Sequence, residues 1–384
     1  MKLFYLHSGK IDSGMANSVQ VLQMCAAFAR LGLEVTLALP DSDNAKALEK
    51  YISLQLGEAA KFNVVTFRQI TICGRLEMMG GYLGVKRLLK TEKMDCCYVR
   101  NPVFLNAPLK YNIPTVFESH NSFIHGNKFL DVLWTRNLIH NSQHPKLVKF
   151  IGISGALTDY WVKAGVPKEK GLALHDAVNA CQYEVVEDQE PLRQALALPL
   201  NQKIVVYAGS LYQDRGIERI LDLAKIFENV LFVVVGGPED RKQIYLDMCR
   251  AGNISNIMFT GHVVHQEVSK YLHAADVLLM IWSKQVPTIN YCSPLKMFEY
   301  MAAERIIVGD AFPTILEVLK DGETAYLADP DSFDDLRNKL TLALNEEYPN
   351  VMAKKARALA MNNYTWDERV RTILPILEAS INYR

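Results

Sequence analysis

The segment Tyr291–Ala302, YCSPLKMFEYMA, combines a helix start with side chains that could bind a nucleotide. Serine followed by proline is typical of a helix N-cap with proline at the first helical position, so we expect Ser293 to cap the helix and Pro294 to begin it. Lys296 would then lie in the first turn, and Glu299, three residues later, on nearly the same face. A lysine for phosphate and a carboxylate for ribose hydroxyls would together hold a nucleotide. A capped helix with an exposed Lys–Glu pair is the alternative interpretation.

Two loops that contain glycine could also meet phosphate groups. Residues 208–211, AGSL, follow a predicted strand, and Arg215 opens the next predicted helix. A planar guanidinium can bind a diphosphate through two parallel hydrogen bonds. The loop at 7–17, with Gly9 and Gly14, joins a strand to a helix and offers backbone N–H groups to an anion. Its spacing is not the glycine fingerprint of a dinucleotide fold, and a plain tight turn explains it equally well.

The elements that must position these residues alternate between strands and helices. In the first half, strands are predicted at LFYLH, EVTLALP, NVVTF, CCYVR, PTVFES and KFIGIS, and helical spacing covers Val19–Leu31. In the second half, the nearly continuous apolar runs KIVVYAG, LFVVVGG, IMFTG, DVLLMI and RIIVGD alternate with helices over Glu218–Phe227 and Ser293–Ala303. Such runs suit strands that are buried on both faces of a parallel sheet. The pattern predicts an α/β protein with two doubly wound units facing a central cleft, where ligands bind beyond the carboxyl ends of the strands.

The length of 384 residues favours two domains. We place an N-terminal domain at 1–182 and a C-terminal domain at 190–366, joined by a linker in the acidic stretch CQYEVVEDQEPLRQ that follows Asn179. The last helix, within 367–384, is amphipathic and could pack on either domain.

Composition excludes several classes of protein. With 49% hydrophobic and 22% charged residues, the chain is globular rather than disordered or fibrous. It contains no apolar run of membrane-spanning length, and its first apolar stretch is too short for a signal peptide, so we expect a cytoplasmic protein. The seven cysteines are odd in number and lack the spacing of a zinc site, which predicts free thiols in a reducing compartment.

Charge is unevenly distributed although the net charge is zero. Residues 1–180 carry 21 Lys and Arg against 14 Asp and Glu. The excess is concentrated at Lys86, Arg87, Lys90, Lys93, Lys146 and Lys149. It predicts peripheral contact with an anionic membrane at its inner face, or with a polyanionic acceptor, whereas an ordinary solvated basic face is the alternative. We expect no nucleic-acid partner.

Seven segments follow one another in an order that is similar to family 4 glycosyltransferases, which have the GT-B fold. They are GISGALTDYWVKAGVPKEK, AGSL, VVVGGPED, IMFTGHV, SPLKMFEYMA, DGETAYLADP and YTWDERV, and they span nearly the whole chain. The resemblance implies a retaining glycosyltransferase that moves a hexose-type sugar from a nucleotide-diphosphate sugar, UDP-linked or GDP-linked, to a hydroxyl of a glycan or lipid-linked acceptor. It implies polysaccharide biosynthesis as the setting, with no metal and no other cofactor.

The resemblance also implies roles for individual residues. Glu299 would hold the ribose, Arg215 the diphosphate and Gly14 the donor phosphates, while His120 would contact the transferred sugar and Thr260–Val263 would line the base. The expected catalytic residues are His120, Arg215 and Lys296. The expected donor-binding residues are Gly14, Gly209, Ser210, Arg215, Gly236, His262, Val263, Tyr291, Ser293, Pro294, Leu295, Lys296 and Glu299.

The sequence departs from the family pattern at the sugar end of this set. Tyr291 stands where the family commonly has a first glutamate, and Ser210 and Arg215 stand where it has arginine and lysine. Lys296 would supply the positive charge that Ser210 lacks, and stabilisation of the departing diphosphate would be the main catalytic task. A nucleotide-sugar epimerase, a phosphorylase, and a non-catalytic protein that binds a nucleotide sugar are the alternatives.

Overall fold

The computed structural model describes residues 1–9, 11, 16–41, 48, 51–52, 56, 62–68, 77–122, 128–212 and 215–382. It divides into two compact units, one formed by Met1–Asp176 with Trp366–Arg384 and the other by Ala177–Thr365. The sequence predicted limits of 1–182 and 190–366, so the residues just after Asp176 belong to the second unit rather than to the first. No helix among the described residues is both long and apolar enough to cross a membrane.

The first unit begins with strands and helices in alternation. Its elements are β1 (Lys2–Leu6), α1 (Ala16–Arg30), β2 (Glu34–Pro40), β3 (Asn63–Phe67), α2 (Glu77–Thr91), β4 (Cys96–Val99), α3 (Pro102–Lys110), β5 (Thr115–Ser119), α4 (Lys128–Ser142), β6 (Leu147–Gly152), α5 (Gly155–Ala164) and β7 (Gly171–Ala173). The seven strands form one sheet in the order β3-β2-β1-β4-β5-β6-β7. Every pairing in it is parallel.

The strand order of the first sheet reverses between β1 and β4. Tyr5 of β1 lies opposite Leu37 of β2 on one side and Tyr98 of β4 on the other. The rings of Tyr5 and Tyr98 stack with centroids 4.9 Å apart, and both residues are buried. In doubly wound sheets, ligands bind beyond the strand ends at such a reversal.

The second unit repeats this plan with one strand fewer. After a short 3-10 turn at Ala180–Tyr183, its elements are α6 (Gln189–Ala195), β8 (Lys203–Ala208), α7 (Ile217–Ile226), β9 (Val230–Val235), α8 (Glu239–Ala251), β10 (Ile257–Gly261), α9 (His265–Ala274), β11 (Val277–Met280), α10 (Leu295–Ala302), β12 (Ile306–Asp310), α11 (Pro313–Leu316), β13 (Tyr326–Ala328), α12 (Phe333–Asn345) and α13 (Val351–Asn363). The parallel sheet has the order β10-β9-β8-β11-β12-β13, so its reversal lies between β8 and β11.

Both faces of the second sheet are covered. Ile204 and Val206 of β8 pack into one apolar cluster, and Val205 and Tyr207 of the same strand pack into another. Because side chains alternate between the faces of a strand, the two clusters lie on opposite sides of the sheet. The prediction of two doubly wound α/β units is therefore confirmed.

The last helix, α14 (Trp366–Asn382), belongs to the first unit. Trp366, Val370, Ile373 and Leu377 are buried and recur at helical spacing, which gives the helix one apolar face. At the surface, the guanidinium of Arg30 in α1 donates to the carboxylate of Asp367, with Nε 3.0 Å from Oδ1.

The interpretation of residues 181–194 as a linker is wrong. Tyr183 and Leu192 are buried in a core cluster of the second unit. Arg193 donates to the carbonyl oxygen of Ala274 over 2.9 Å and to Oδ2 of Asp276 over 2.7 Å. The acidic residues between these anchors are mostly exposed, and this explains why the composition of the stretch resembles that of a linker.

Replacement of Gly236 by alanine should destabilise the second unit more than the same change at Gly322. Both glycines have positive φ, +106° and +72°, so each variant loses roughly 1 kcal/mol through backbone strain. At Gly236 the new Cβ would also lie 2.7 Å from the carbonyl oxygen of Gly209, whereas nothing lies within 4 Å at Gly322. We expect an additional loss of about 1–3 kcal/mol from this overlap. Urea unfolding of the two variants measures the difference, and equal losses would contradict the assigned contact.

Candidate functional site

Three strand ends of the second unit are joined by backbone hydrogen bonds. The N–H of Gly209, after β8, donates to the carbonyl oxygen of Val235 over 2.9 Å, and the N–H of Gly236, after β9, donates to that of Gly261 over 3.0 Å. The N–H of Ala208 donates to the hydroxyl of Tyr300 in α10 over 2.7 Å. The carboxyl edge of this sheet is thus a fixed backbone surface beside the start of α10.

Helix α10 begins one residue later than predicted. Leu295 is its first residue and Pro294 its N-cap, with no capping hydrogen bond from a side chain. The predicted cap at Ser293 with proline at the first helical position is therefore wrong, although Ser293 is buried and Lys296 still lies in the first turn. A proline at the cap has no N–H to offer, so the N–H groups of the first helical turn remain available.

The ammonium group of Lys296 lies between two aromatic rings. Its Nζ is 4.1 Å from the ring centroid of Tyr207, at the end of β8, and 4.8 Å from that of Trp282, just after β11. A Cβ added at Gly209 would lie 3.2 Å from the same Nζ, so only glycine leaves the space beside it open. Within the described part of the chain this buried nitrogen has no hydrogen-bond partner.

Burial, together with the nearby charge of Arg215, lowers the pKa of Lys296 to about 7. Glu299 and Asp310 oppose this shift but are outweighed. Asp310 is already engaged, since its Oδ2 accepts from Arg219 over 2.9 Å. A buried amine without a bonded anion is a costly arrangement, and an anionic ligand would remove the cost. Lys296 and Arg215 therefore form a candidate anion site, in which the amine has no bonded anion among the described residues.

Glu299 is held by a histidine that the sequence analysis did not identify. Oε1 of Glu299 lies 2.7 Å from Nε2 of His265, the first residue of α9. Burial would lower the pKa of His265, but the carboxylate of Glu299 outweighs it and raises the pKa above its ordinary value. His265 thus fixes one carboxylate oxygen, and the second oxygen can accept from a hydroxyl of a bound ribose.

The remaining predicted donor residues lie at the same strand ends, beside the start of α10, or outside the described residues. Ser210 is half-buried next to Gly209, His262 is exposed after β10, and Val263, Tyr291 and Leu295 are half-buried. Gly14 lies outside the described residues, so its predicted role stays a prediction. Among the described residues, no group of His, Cys, Asp and Glu could hold a metal ion, and the expected independence from metal is likewise a prediction.

In the first unit, His120 lies directly after β5 at the carboxyl edge of the sheet. Its Nε2 is 2.5 Å from Oε1 of Glu118, and Nε of Arg100 is 3.1 Å from the same Nε2. Burial and Arg100 lower the pKa of His120 to about 4, although Glu118 opposes this, so the ring is neutral near pH 7. The side chain is 22% exposed, which leaves part of the ring accessible to a ligand.

His7, after β1, is a second histidine at this edge. It is 5% exposed, and neither ring nitrogen has a hydrogen-bond partner among the described residues. Burial, with Arg100 and His120 nearby, lowers its pKa to about 3. Arg100 directly follows β4 and donates from Nη1 to the carbonyl oxygen of Asn17 over 3.2 Å. The sequence analysis named the loop around His7 but not Arg100, which no motif distinguishes.

The predicted residues thus fall into two groups. Gly209, Arg215 and Lys296 converge in the second unit, with Glu299 on the same helix, and His120 stands in the first unit. Glu118, which the sequence suggests beside His120 as a candidate for sugar contacts, is buried beneath that histidine. The residues that the sequence analysis missed are Tyr207, Trp282, His265 and Arg100. Of these, Tyr207 and Trp282 could have been found from their place at the ends of the two strands that flank the reversal.

Comparisons with known proteins agree with this architecture. A family model described as Glycosyltransferase Family 4 matches residues 18–180, and a model described as Glycosyl transferases group 1 matches residues 188–365. A lipopolysaccharide 1,2-N-acetylglucosaminetransferase of Salmonella typhimurium is 31% identical over 193 residues, which are 47% of this chain and 49% of that protein. The chain thus spans about half the length of this curated relative.

Solved structures resemble the chain over its full length. A sucrose-phosphate synthase from Thermosynechococcus elongatus has a TM-score of 0.78 at 14% identity, with all of both chains covered. The Anabaena protein Alr3699/HepE, solved in complex with UDP and glucose, has a TM-score of 0.74 at 18% identity, covering 99% of this chain and 100% of its own. At such identities the likeness concerns the fold.

Replacement of Glu299 by glutamine should lower the pKa of His265. The carboxylate is the group that raises this pKa, so its neutralisation leaves the opposing effect of burial. We expect the pKa of His265 to fall, since an opposite charge at hydrogen-bonding distance favours the protonated ring and its loss leaves burial unopposed. An NMR titration of the histidine ring measures it. Glu267→Gln, on the exposed side of the same helix, is the matched control and should leave the titration unchanged. An unchanged pKa in Glu299→Gln would show that the pair does not form.

Proposed function

Because the chain belongs to family 4 of the GT-B glycosyltransferases, we propose that it moves a hexose-type sugar from a nucleotide-diphosphate sugar to a hydroxyl of a glycan or lipid-linked acceptor. The anion site at Lys296 is the observation that carries this proposal. The buried amine of Lys296 has no bonded partner among the described residues and lies near the positive charge of Arg215, so the site matches a diphosphate in charge. Because residue 209 is glycine, the space beside the amine is open to such a ligand. Glu299, bonded to His265, is suited to the ribose.

Transfer with retention requires the leaving diphosphate to be stabilised. The bond between the sugar C1 and the diphosphate oxygen breaks, a bond from C1 to the acceptor oxygen forms on the same face, and the hydroxyl proton passes to a departing phosphate oxygen. Negative charge therefore grows on the diphosphate as the bond breaks. Lys296 and Arg215 would stabilise that charge, and a preorganised donor of this kind contributes roughly 2–4 kcal/mol to lowering the barrier. The reaction then needs neither a metal ion nor a separate protein base.

The donor is proposed to be a UDP-hexose. The HepE structure contains UDP and glucose and has the same fold over nearly its whole chain. Backbone groups at Gly236 and Gly261 stand at the strand ends where the resemblance places the base. Tyr291, in place of the family's first glutamate, removes one carboxylate from the region expected to face the sugar.

Calorimetric titration with UDP, GDP and ADP should identify one tightly bound nucleotide. In Lys296→Met and Glu299→Ala we expect affinity to fall about 10-fold to 100-fold, because a charge-assisted hydrogen bond is worth about 1.5–3 kcal/mol. At pH 8 the wild type should take up a proton on binding, because the diphosphate raises the pKa of a lysine that is mostly neutral there. Titrations in two buffers of different ionisation enthalpy measure this uptake, which Lys296→Met should abolish.

The matched control for these titrations is Lys270→Met, an exposed lysine of the same unit, which should bind as the wild type does. Equal affinity in Lys296→Met would refute the anion site. UDP-hexose should release UDP only with an acceptor; conversion to another UDP-sugar without acceptor would instead favour the epimerase, and binding without any turnover the non-catalytic protein.

Peripheral contact with an anionic membrane is a second part of the proposal. On α2, Leu83 is 54% exposed, and Arg87 and Lys90 follow it along the exposed face with Lys86 beside them. An exposed apolar side chain among basic ones is typical of helices that lie on anionic lipid. The acceptor could then be presented to the enzyme from the membrane.

Flotation with phosphatidylglycerol vesicles tests this contact. Glutamine at Lys86, Arg87 and Lys90 should weaken binding by roughly 10-fold or more at low salt, since each basic residue near the surface contributes about 1 kcal/mol. Salt should weaken the wild type as well. The control with glutamine at Lys225, Lys270 and Lys320 of the second unit should float normally. Failure of the wild type to float at low salt would end the membrane proposal and leave the donor site unaffected.

A further inference from the structure

A carboxylate lies fully buried beneath the ligand edge of the first unit. The side chain of Glu118, in β5, is 0% exposed and accepts four hydrogen bonds. Its Oε1 accepts from Nε2 of Gln20 over 2.6 Å and lies 2.5 Å from Nε2 of His120. Its Oε2 accepts from Nη1 of Arg369 over 2.7 Å and from the hydroxyl of Tyr98.

Glu118 is ionised in this environment. Burial alone would raise its pKa, but Arg369, His120 and Arg100 outweigh burial and hold the pKa well below its ordinary value. Two groups face Nε2 of His120: Oε1 of Glu118 at 2.5 Å, and the N–H of Arg100 Nε at 3.1 Å, whose nitrogen is 3.6 Å from that same Oε1. An ionised carboxylate only accepts hydrogen bonds and makes the shorter contact, so Nε2 carries the proton and the N–H of Arg100 is shared with the carboxylate instead. From this network we assign the neutral Nε2–H tautomer to His120, and its Nδ1 then bears a lone pair.

Arg369 reaches this carboxylate from α14, the last helix of the chain. Its Nε donates to the carbonyl oxygen of His175 over 2.8 Å, and its Nη2 donates to that of Leu174 over 3.0 Å. The side chain is 2% exposed, and Glu118 raises the pKa of the guanidinium despite its burial. Two backbone carbonyl oxygens therefore hold the planar guanidinium group of Arg369 through Nε and Nη2, and its Nη1 is directed to Glu118.

We infer that Arg369 is a positioning residue for the transfer: through Glu118 it fixes His120 as the Nε2–H tautomer, which presents Nδ1 as an acceptor to a sugar hydroxyl. The inference rests on the proposed function and on the sugar contact at His120 that the family resemblance implies. It adds which tautomer of His120 makes that contact, and it attributes this tautomer to Arg369 in the C-terminal helix. A hydroxyl of the substrate would donate to Nδ1, and Glu118 and Arg369 would touch no substrate.

Glutamine at position 118 offers a sharp test. In the native network Arg369 and Tyr98 donate to Oε2, and Gln20 donates to Oε1. Because a guanidinium can only donate, the new amide turns its oxygen toward Arg369, and the amide of Gln20 flips to offer its own oxygen to the new NH2 group. This NH2 group then faces His120 and requires an acceptor at Nε2, which moves the ring proton to Nδ1. Long-range 1H–15N NMR of histidine-labelled protein, with the His120 signals identified by their loss in His120→Gln, reads the tautomer directly.

We expect Nε2–H in the wild type and Nδ1–H in Glu118→Gln, with kcat at least 10-fold lower and the UDP affinity unchanged. Arg369→Lys keeps the charge but cannot bond Glu118 and both carbonyl oxygens together, so Nδ1–H signal should appear there as well. Arg30→Gln is the matched control, since it removes another tie of α14 without touching Glu118. It should retain the native tautomer and kcat.

A wild type with the proton on Nδ1, or the native tautomer in both Glu118→Gln and Arg369→Lys, overturns the inference. A merely structural role for Arg369 would lower the folded fraction in urea unfolding and leave the tautomer of folded molecules unchanged. Because the NMR measurement needs no substrate, its result is separate from the proposed activity. An expected tautomer pattern without any glycosyl transfer would refute the function and not the network.

Discussion

A charge that folding removes from water must be compensated by protein groups or by a ligand, and the two units do this differently. In the first unit, Glu118 has a donor on every side, and Arg369 is bonded to backbone and carboxylate alike. In the second unit, the nitrogen of Lys296 lies between two aromatic rings and has no hydrogen-bond partner among the described residues. The first arrangement is complete in the folded protein, whereas the second would be completed by the proposed diphosphate.

Sheet topology decides where both arrangements stand. Parallel strands end at one edge, and each sheet reverses its order beside its first strand, at β1 with β4 and at β8 with β11. The positions of Tyr207 and Trp282 are explained by the second reversal, because Tyr207 lies at the end of β8 and Trp282 just after β11, the two strands that flank it. His7 and Arg100 follow from the first in the same way. Residues far apart in sequence therefore meet at an edge that the strand order alone determines.

Strong apolar runs made most of the fold predictable. The strands at 203–208 and 230–235 were evident because each is apolar on both faces, as a central parallel strand must be. Two strands were missed, Gly171–Ala173 and Tyr326–Ala328, because three residues are too few to show a period.

The linker error has a different cause. Residues 181–194 have the composition of a linker, and two buried anchors, Tyr183 and Arg193, carry no local signal that distinguishes them from exposed residues of the same type. Their burial depends on partners such as Asp276, more than 80 residues away in the chain. The start of helix α10 was misplaced by one residue for a related reason, since a serine–proline pair permits two caps and packing selects one.

The candidate site was predictable where a local motif carries it and not where tertiary contacts do. Lys296 and Glu299 share one helix, and their spacing suggested a common role. His265, which fixes Glu299, is 34 residues away, and Arg369 is 251 residues from Glu118. Only the fold brings such supporting side chains next to the residues they contact. They set the orientation and the protonation state of a binding or reacting group.

The protonation of His120 and that of Lys296 respond differently to an incoming ligand. In the proposed reaction, the neutral ring of His120 does not change its charge when the sugar binds, because an ionised neighbour already holds it in one form. Lys296 lies close to the charge of Arg215, and loss of its proton relieves the repulsion while no anion is present. The proposed diphosphate reverses that balance, so in the proposed reaction the second unit gains its full positive charge only when the leaving group is in place. The positive charge that Lys296 gains when the ligand binds would then lie beside the phosphate oxygens, on which negative charge develops in the reaction.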